Sequence, residues 1–171
     1  MGAALKALEE KGGVAAVAAC ANLIGGSIAS LPLHFYKRGA DGSRQRDQAS
    51  PLWWLFNERP CANWSAAAWW QFVSDSRMFH GDGFALMNRS TRGDRILSIE
   101  PWHPAYVQVD LDGDGRLLYE FHPRPGVDPV GARVRVREQD DVLHIPSAGF
   151  DGRRSPSMLR SALNHAAAAG E

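Results

Sequence analysis

The sequence lacks an excess of charge of either sign and is poor in cysteine. Its 19 Lys and Arg residues balance 19 Asp and Glu residues, so net charge gives no reason to expect a nucleic-acid or membrane surface. The two cysteines, Cys20 and Cys61, lack metal-type spacing and are too few for a disulfide framework, which favours a reducing compartment. A Gly-Lys-Ser or Gly-Lys-Thr phosphate loop is also absent, which argues against the P-loop class of NTPases.

Charged side chains are missing altogether from residues 12–36, so a membrane span has to be considered. The stretch consists mainly of alanine and glycine, which gain little free energy in lipid. Cys20 follows Val-Ala-Ala, as in a lipoprotein cleavage box. However, the leader mixes acidic and basic residues, and the apolar run before Cys20 is short. We interpret the segment as a buried helix and expect no membrane contact.

Apolar residues at three- and four-residue steps predict a helix over residues 14–31, which Pro32 ends. Gly25 and Gly26 weaken such a helix by about 1 kcal/mol each unless another backbone packs closely there. Further helices are predicted at residues 52–57 behind Pro51, at residues 65–79 with Ser65 as the cap, and from Ser155-Pro156 onward.

After Gly81-Asp82-Gly83, which we interpret as a helix-to-strand turn, the apolar periodicity changes to two and predicts strands. An earlier strand is predicted at residues 33–36, followed by a polar loop at 39–50. The later strands are predicted at residues 84–88, 96–99, 106–110, 116–121, 134–137 and 142–145. Helices, a run of antiparallel strands and a further helix indicate an α+β fold, with N-terminal helices packed on a mainly antiparallel multi-stranded sheet.

The chain contains six tryptophans, most of them close together in the sequence. Clustered aromatic rings either fill a core or mark a contact surface. The candidates for packing or for a subunit interface are Trp53, Trp54, Trp64, Trp69 and Trp70.

Three arginines alternate along one predicted strand and would share a face: Arg133, Arg135 and Arg137. They are candidates for contact with DNA phosphates or with an acidic neighbour. A solvated edge strand would show the same pattern.

A calcium-binding module is one alternative from another class. Asp110, Asp112, Asp114 and Gly115 match the opening of a calcium loop, but its twelfth position, where a bidentate Glu belongs, is Phe121. Apolar alternation on both sides instead favours a β-hairpin with a Gly-Asp-Gly turn.

A metal-dependent hydrolase is the other alternative. His103, His122 or His144 would have to converge with Asp or Glu, yet the histidines are scattered and form no His-x-x-x-His pair. The Gly-Gly-Ser step ending at Ser27 imitates a nucleophile elbow but has no strand before it. We therefore predict no catalytic, cofactor-binding or metal-binding residue. A small metal- or calcium-binding α+β domain with hydrolase activity stays open as the alternative.

Seven short motifs follow one another along the chain. They include Pro-Leu-Trp-Trp-Leu-Phe-Asn-Glu-Arg-Pro, His-Gly-Asp-Gly-Phe-Ala and Asp-Val-Leu-His-Ile, and they lie at residues 17–33, 51–60, 64–70, 80–85, 99–104, 141–145 and 152–156. In this order they resemble the portal (head–tail connector) proteins of tailed bacteriophages. Two departures stand out: Cys61-Ala62-Asn63 replaces a compact Pro-Asn turn, and Arg154 occupies a position that is usually small.

The resemblance divides the chain into a flexible lead-in at 1–13, a portal wing-like domain at 14–155, and the truncated start of a long helix toward the stem at 156–171. Because family members are longer, we expect a fragment that corresponds mainly to the outer wing. It would expose apolar surface that packs elsewhere in an intact subunit or ring, and it is less suited to forming a ring alone.

The resemblance also implies a structural function and no enzymatic activity or cofactor. The intact protein would form a ring of about twelve copies at one capsid vertex, through which DNA is packaged and ejected. Implied partners are other copies, the terminase, capsid and head-completion proteins, and the passing DNA. The implied location is the virion, and the host cytoplasm during assembly.

Overall fold

The computed structural model describes residues 13–162. The helices are α1 (Gly13–Ala29), α2 (Pro51–Asn57), α3 (Ala66–His80) and a final helical segment, α4, at residues 158–162. The strands are β1 (Tyr36–Arg38), β2 (Arg44–Arg46), β3 (Asp82–Arg89), β4 (Ile96–Trp102), β5 (Val107–Leu111), β6 (Leu117–Phe121), β7 (Arg135–Glu138) and β8 (Val142–Pro146). The α+β prediction is confirmed, and the antiparallel strands are divided among three separate sheets: β1-β2, β4-β3-β8 and β5-β6-β7.

Helix α1 packs along α3 through small residues. Ala21 and Gly25 are buried in this contact, and a side chain at Gly25 would collide with the side chain of Gln71. Close helix packing is thus the reason why Gly25 is tolerated. The opposite side of α1 is open to solvent, and Leu23 is 72% exposed. The prediction of a helix is correct, whereas the interpretation that it is buried holds for only one face.

None of the helices within residues 13–162 combines the length and the apolar character that crossing a bilayer requires. Ser27 lies inside α1, where its hydroxyl donates to the carbonyl of Leu23. The Gly-Gly-Ser step is therefore part of a continuous helix rather than an elbow. The proposed lead-in at residues 1–13 lies almost wholly outside the described residues.

Helix α3 begins and ends as its sequence predicts. The hydroxyl of Ser65 accepts from the Ala68 amide at 3.3 Å, which is the usual N-terminal cap. At the other end, Gly81 adopts a left-handed φ of 92° and its amide donates to the carbonyl of Arg77. This cap turns the chain directly into β3, whose first residue, Asp82, is fully buried.

Strand β3 lies in the centre of the fold and supplies two cores from its two faces. Ala85 packs with Trp69 and Val73 of α3 in a core beneath the helices. Phe84 and Leu86 point the other way, into a core shared with the second three-stranded sheet. The remaining buried members of that second core are Trp102, Val107, Val109, Tyr119, Phe121 and Val142.

Near the N-terminus, the strand predicted at residues 33–36 and the loop predicted at 39–50 are both misplaced. The structure instead forms a hairpin, with Tyr36 opposite Arg46 and Arg38 opposite Arg44. The Gly39 amide donates to the carbonyl of Ser43 at 2.8 Å and closes its turn. The prediction failed because backbone pairing, rather than burial, holds these six residues together; all of them are exposed.

The final helix also starts later than predicted. Its cap is Ser157, whose hydroxyl accepts from the Arg160 amide at 3.2 Å. The Ser155 side chain is instead buried, bonded to the backbone of Ser147. Most of the predicted helix at 156–171 lies beyond the described residues.

Replacement of Gly81 by alanine tests how tightly the outgoing chain packs on the end of α3. The new methyl group would collide with the carbonyl oxygen of Ser155. In addition, the alanine backbone would have to adopt the left-handed conformation of Gly81. We expect the free energy of unfolding, measured by urea denaturation, to fall by more than about 2 kcal/mol.

Gly93→Ala is the matched control, because Gly93 also has a positive φ, of 73°, but nothing lies within 4 Å of the added methyl group. Its loss should be about 1 kcal/mol. Equal losses for the two variants would show that Ser155 does not pack on Gly81.

Candidate functional site

A buried carboxylate joins three separate parts of the chain. Asp82 has no exposed surface and accepts hydrogen bonds from His144 Nε2 at 3.0 Å, Arg154 Nε at 2.8 Å and the Ser155 amide at 3.1 Å. Strand pairing places His144 beside β3, opposite Phe84. A buried charge needs such partners to offset its lost hydration. We call Asp82, Tyr119, His144, Arg154 and Ser155 the Asp82 network.

The pKa of Asp82 reflects this environment. Burial raises the pKa, but hydrogen bonds from His144 and Ser155 outweigh that effect and place it below the ordinary value of 3.8. Asp82 is therefore ionised at neutral pH. Arg154 Nε forms an ion pair with the Asp82 carboxylate at 2.8 Å.

Tyr119, His144 and Asp82 form a chain of hydrogen bonds that resembles an acid–base relay. The Tyr119 hydroxyl lies 3.1 Å from His144 Nδ1 and donates to it when the imidazole is neutral. Burial, together with the charge of Asp82, raises the pKa of Tyr119 to about 12, and the residue is 2% exposed. A buried phenol that resists ionisation cannot reach a substrate as a nucleophile, so the arrangement favours a structural role.

Two consecutive arginines connect the Asp82 network to the second sheet. Arg154 Nη1 donates to the carbonyl of Val107 at 2.9 Å, and Arg153 Nη2 donates to the carbonyl of Val109 at 3.1 Å. Both carbonyls belong to β5, which pairs only with β6 among the described strands. Arg154 thus bridges the two three-stranded sheets through its bond to Asp82.

Hydrogen bonds hold the two ends of the segment that carries these arginines, Ser147 and Ser155, next to each other. Ser147 and Ser155 exchange hydrogen bonds of 3.1 and 3.3 Å, and the Ser147 amide donates to the carbonyl of Gly81. Arg77 of α3 adds two bonds to the carbonyl of Pro146. The chain leading to α4 is therefore fixed at the junction of α3 and β3.

The five candidate tryptophans differ in their surroundings. Trp69 has no exposed surface and donates to the carbonyl of Ile99 at 3.1 Å, while Trp70 donates to the carbonyl of Phe56 at 3.0 Å. Trp64 packs edge-on against Phe72. Trp53 and Trp64 are half-buried, whereas Trp54 is 59% exposed. Packing accounts for most of the cluster, and Trp54 is the member that presents an aromatic ring to solvent.

The three candidate arginines do not share one strand face, since β7 begins only at Arg135. Arg135 approaches Glu100 at 3.8 Å and lies 5.4 Å from the ring centroid of Trp102. Arg137 donates to the carbonyl of Val136. Arg133 precedes the strand and is exposed. Contact with DNA or an acidic neighbour stays a prediction, for which Arg133 is the most accessible of the three.

The aspartates of the calcium-like motif form the predicted β-hairpin. Asp112 Oδ1 accepts from the amides of Asp114 and Arg116, and the carboxylate of Asp110 pairs with Arg153 at 2.7 Å. Within residues 13–162, His, Cys, Asp and Glu side chains nowhere gather in a group of three that would hold a metal ion. The calcium-binding alternative therefore finds no support in this part of the chain.

The histidines considered for a hydrolase have separate surroundings. His103 stacks edge-on with His80, with ring centroids 4.6 Å apart, and burial lowers the pKa of both. His122 lies 3.8 Å from Glu120, and His144 faces Asp82. They do not converge, so this alternative finds no support either.

Sequence reasoning missed the central role of Asp82. The signal was present: an aspartate at the start of a strand whose following residues are apolar must be paired if that strand is buried. Its partners Arg154 and Ser155 are more than 70 positions away, and nothing in the local pattern pointed to them.

Replacement of Asp82 by asparagine should lower the free energy of unfolding by about 3 kcal/mol, because it leaves Arg154 without its anionic partner and turns an amide group toward donors. Thermal or urea denaturation measures the loss. Asp110→Asn is the control, since the pair between Asp110 and Arg153 is about half exposed and should contribute less than about 1 kcal/mol. Similar losses in both variants would contradict a special role for Asp82.

The stabilisation by Asp82 should depend on pH. Because its pKa is lowered in the folded state, the extra stability is fully present above the unfolded value near 3.8 and disappears as the pH falls through the folded value. The difference in unfolding free energy between the wild type and Asp82→Asn should therefore be constant above about pH 5 and shrink below about pH 4. A difference that persists unchanged down to about pH 2 would refute the assignment.

Comparison with known proteins identifies the family. The family model described as phage portal protein matches residues 15–171. The portal protein of Enterobacteria phage HK97 is 24% identical over 151 residues, which cover 88% of this chain and 34% of that protein. This chain thus spans about a third of that relative's length.

A solved structure, the neck of an empty GTA particle computed with C6 symmetry, has a similar fold. Its TM-score is 0.59 at 19% identity, and the match covers 87% of this chain and 39% of the other. At this identity the likeness concerns the fold alone. Since the family model spans nearly the whole sequence, the chain belongs to the phage portal protein family.

Proposed function

We propose that this chain is a structural, wing-like part of a phage portal ring, through which DNA is packaged into the capsid and ejected from it. In this proposal the chain acts through contacts with other copies and catalyses no reaction of its own. Its place is a capsid vertex in the virion, and the host cytoplasm during assembly. Terminase, capsid and head-completion proteins would be met mainly by other parts of an intact portal subunit.

The observation that carries this proposal is the family match across residues 15–171. The geometry agrees with it, because the polar groups of the Asp82 network bind one another and the backbone of the second sheet, and so connect the two sheets. A mechanical role in a particle favours such cross-linking, since a wing under load gains from rigid connections between its layers.

The exposed apolar side chains also support a role in assembly. Leu23 and Leu31 are 72% and 68% exposed, and Val127 and Val130 are also exposed. These side chains are available for packing against further protein, which the proposed role in assembly requires.

Immunogold electron microscopy tests the proposed location. Antibodies raised against the purified chain are applied to phage particles from cells that encode it, after mild opening of the tail junction. We expect gold at a single vertex, where the tail attaches. An antibody against the major capsid protein serves as the control and should label the whole shell. Labelling spread over the shell, or confined to material outside particles, would refute the proposal.

A further inference from the structure

The chain is neutral overall, but the hairpin of β1 and β2 presents a basic face to solvent. Strand pairing places Tyr36 opposite Arg46 and Arg38 opposite Arg44. Because directly paired residues share one face of a sheet and successive residues alternate between faces, these four side chains project from the same side of the hairpin. All four residues are exposed. We call Tyr36, Arg38, Arg44 and Arg46 the arginine face.

The hairpin holds two of these arginines close together although their charges repel. The Gly39 amide donates to the carbonyl of Ser43 at 2.8 Å. The next pair along the ladder, Arg38 and Arg44, therefore occupies a non-hydrogen-bonded position, where opposite side chains approach most closely. Like charges directly opposite each other destabilise a strand pair. The fold itself gains nothing from this arrangement.

The acidic residues of the hairpin do not neutralise the arginine face. Asp47 pairs at 3.0 Å with Lys37, whose side chain projects from the opposite side of the hairpin. Asp41 lies in the turn, where its carboxylate accepts from a backbone amide at 3.0 Å. Arg46 donates to Nδ1 of His34 at 2.9 Å, which is an uncharged acceptor.

None of the three arginines forms an ion pair with a carboxylate from residues 13–162. The hairpin that carries them is also anchored to the domain. The ring of Phe35 lies 6.0 Å from that of Phe56 in α2, and the Asp47 amide donates to the carbonyl of Phe35 at 2.8 Å. A basic surface that is already ordered loses little conformational entropy when it binds an anion.

We infer that the arginine face binds the phosphate backbone of double-stranded DNA. The inference rests on the proposed function, which brings DNA to this chain, and it adds the surface that contacts the DNA. Guanidinium groups form bidentate hydrogen bonds with phosphate, and tyrosine hydroxyls bind phosphate as well.

The dimensions of the hairpin agree with this partner. Arg44 and Arg46, two positions apart on one strand, are spaced by about 7 Å. Each DNA strand carries a negative charge about every 3.4 Å along the helix axis, so every arginine of the face can meet a phosphate at the same time. A two-stranded ribbon is also of the size that the major groove admits. Bound phosphates would offset the repulsion between Arg38 and Arg44.

Fluorescence anisotropy with the full chain and a labelled DNA duplex of random sequence tests the contact. Three phosphate contacts predict that the affinity falls roughly 40-fold between about 50 and 200 mM salt. The triple variant Arg38→Gln, Arg44→Gln and Arg46→Gln should bind at least about tenfold more weakly at the lower salt concentration, and most of the salt dependence should disappear.

A second triple variant, Arg92→Gln, Arg95→Gln and Arg160→Gln, is the matched control. It removes the same charge from exposed positions outside the hairpin and should bind as the wild type does. Equal weakening by the two triple variants would show an effect of net charge alone and would overturn the inference.

Thermal melting shows whether the arginines serve the fold instead. The hairpin variant should melt at or above the temperature of the wild type, because it removes like charges held opposite each other. A lower melting temperature would count against the inference. Polyglutamate that displaces the duplex at an equal concentration of charge would assign the face to an acidic protein. If the wild type does not bind DNA at about 50 mM salt while gold labelling still marks the vertex, the proposed function stands and the DNA contact fails.

Discussion

The fold depends on one buried charge and its partners. Asp82 lies at the point where α3 turns into β3, and it binds a histidine from β8, an arginine from the outgoing segment and a backbone amide beside it. Breaking such a site is costly because the remaining charge would be buried without a partner. The direction in which the chain leaves toward α4 is thereby tied to the central strand, so the connection to whatever follows is set by the core itself.

Local patterns predicted most of the elements within residues 13–162. Helices α1 to α3 and strands β3 to β8 were found within a few residues, because their periodicity reflects the faces they bury. The β1–β2 hairpin was missed since its residues are exposed and leave no apolar pattern. The Asp82 network was missed for a different reason: its members are brought together only by tertiary structure. The Ser-Pro motif predicts a helix cap at Ser155, but in the structure this side chain is buried and bonds to the backbone of Ser147.

Tryptophan and arginine, the two residue types singled out as candidates, are largely used for packing in this chain. Trp69 and Trp102 are buried, and the Arg124 guanidinium lies over the Trp102 ring and bonds to Glu100 and Asp128. Such stacked guanidinium groups fill space and satisfy charge together, which lysine cannot do equally well. Trp54 and Arg133 are exposed and are not used by the core.

The position of β3 has a consequence for how the domain comes apart. Its alternate side chains enter both cores. If one core opened, one face of β3 would lose its packing, and β3 also supports the other core. Cooperativity is then built into a single element, and the helical and sheet layers are expected to melt as one unit rather than in stages. Under load, a domain built in this way would remain intact or unfold completely.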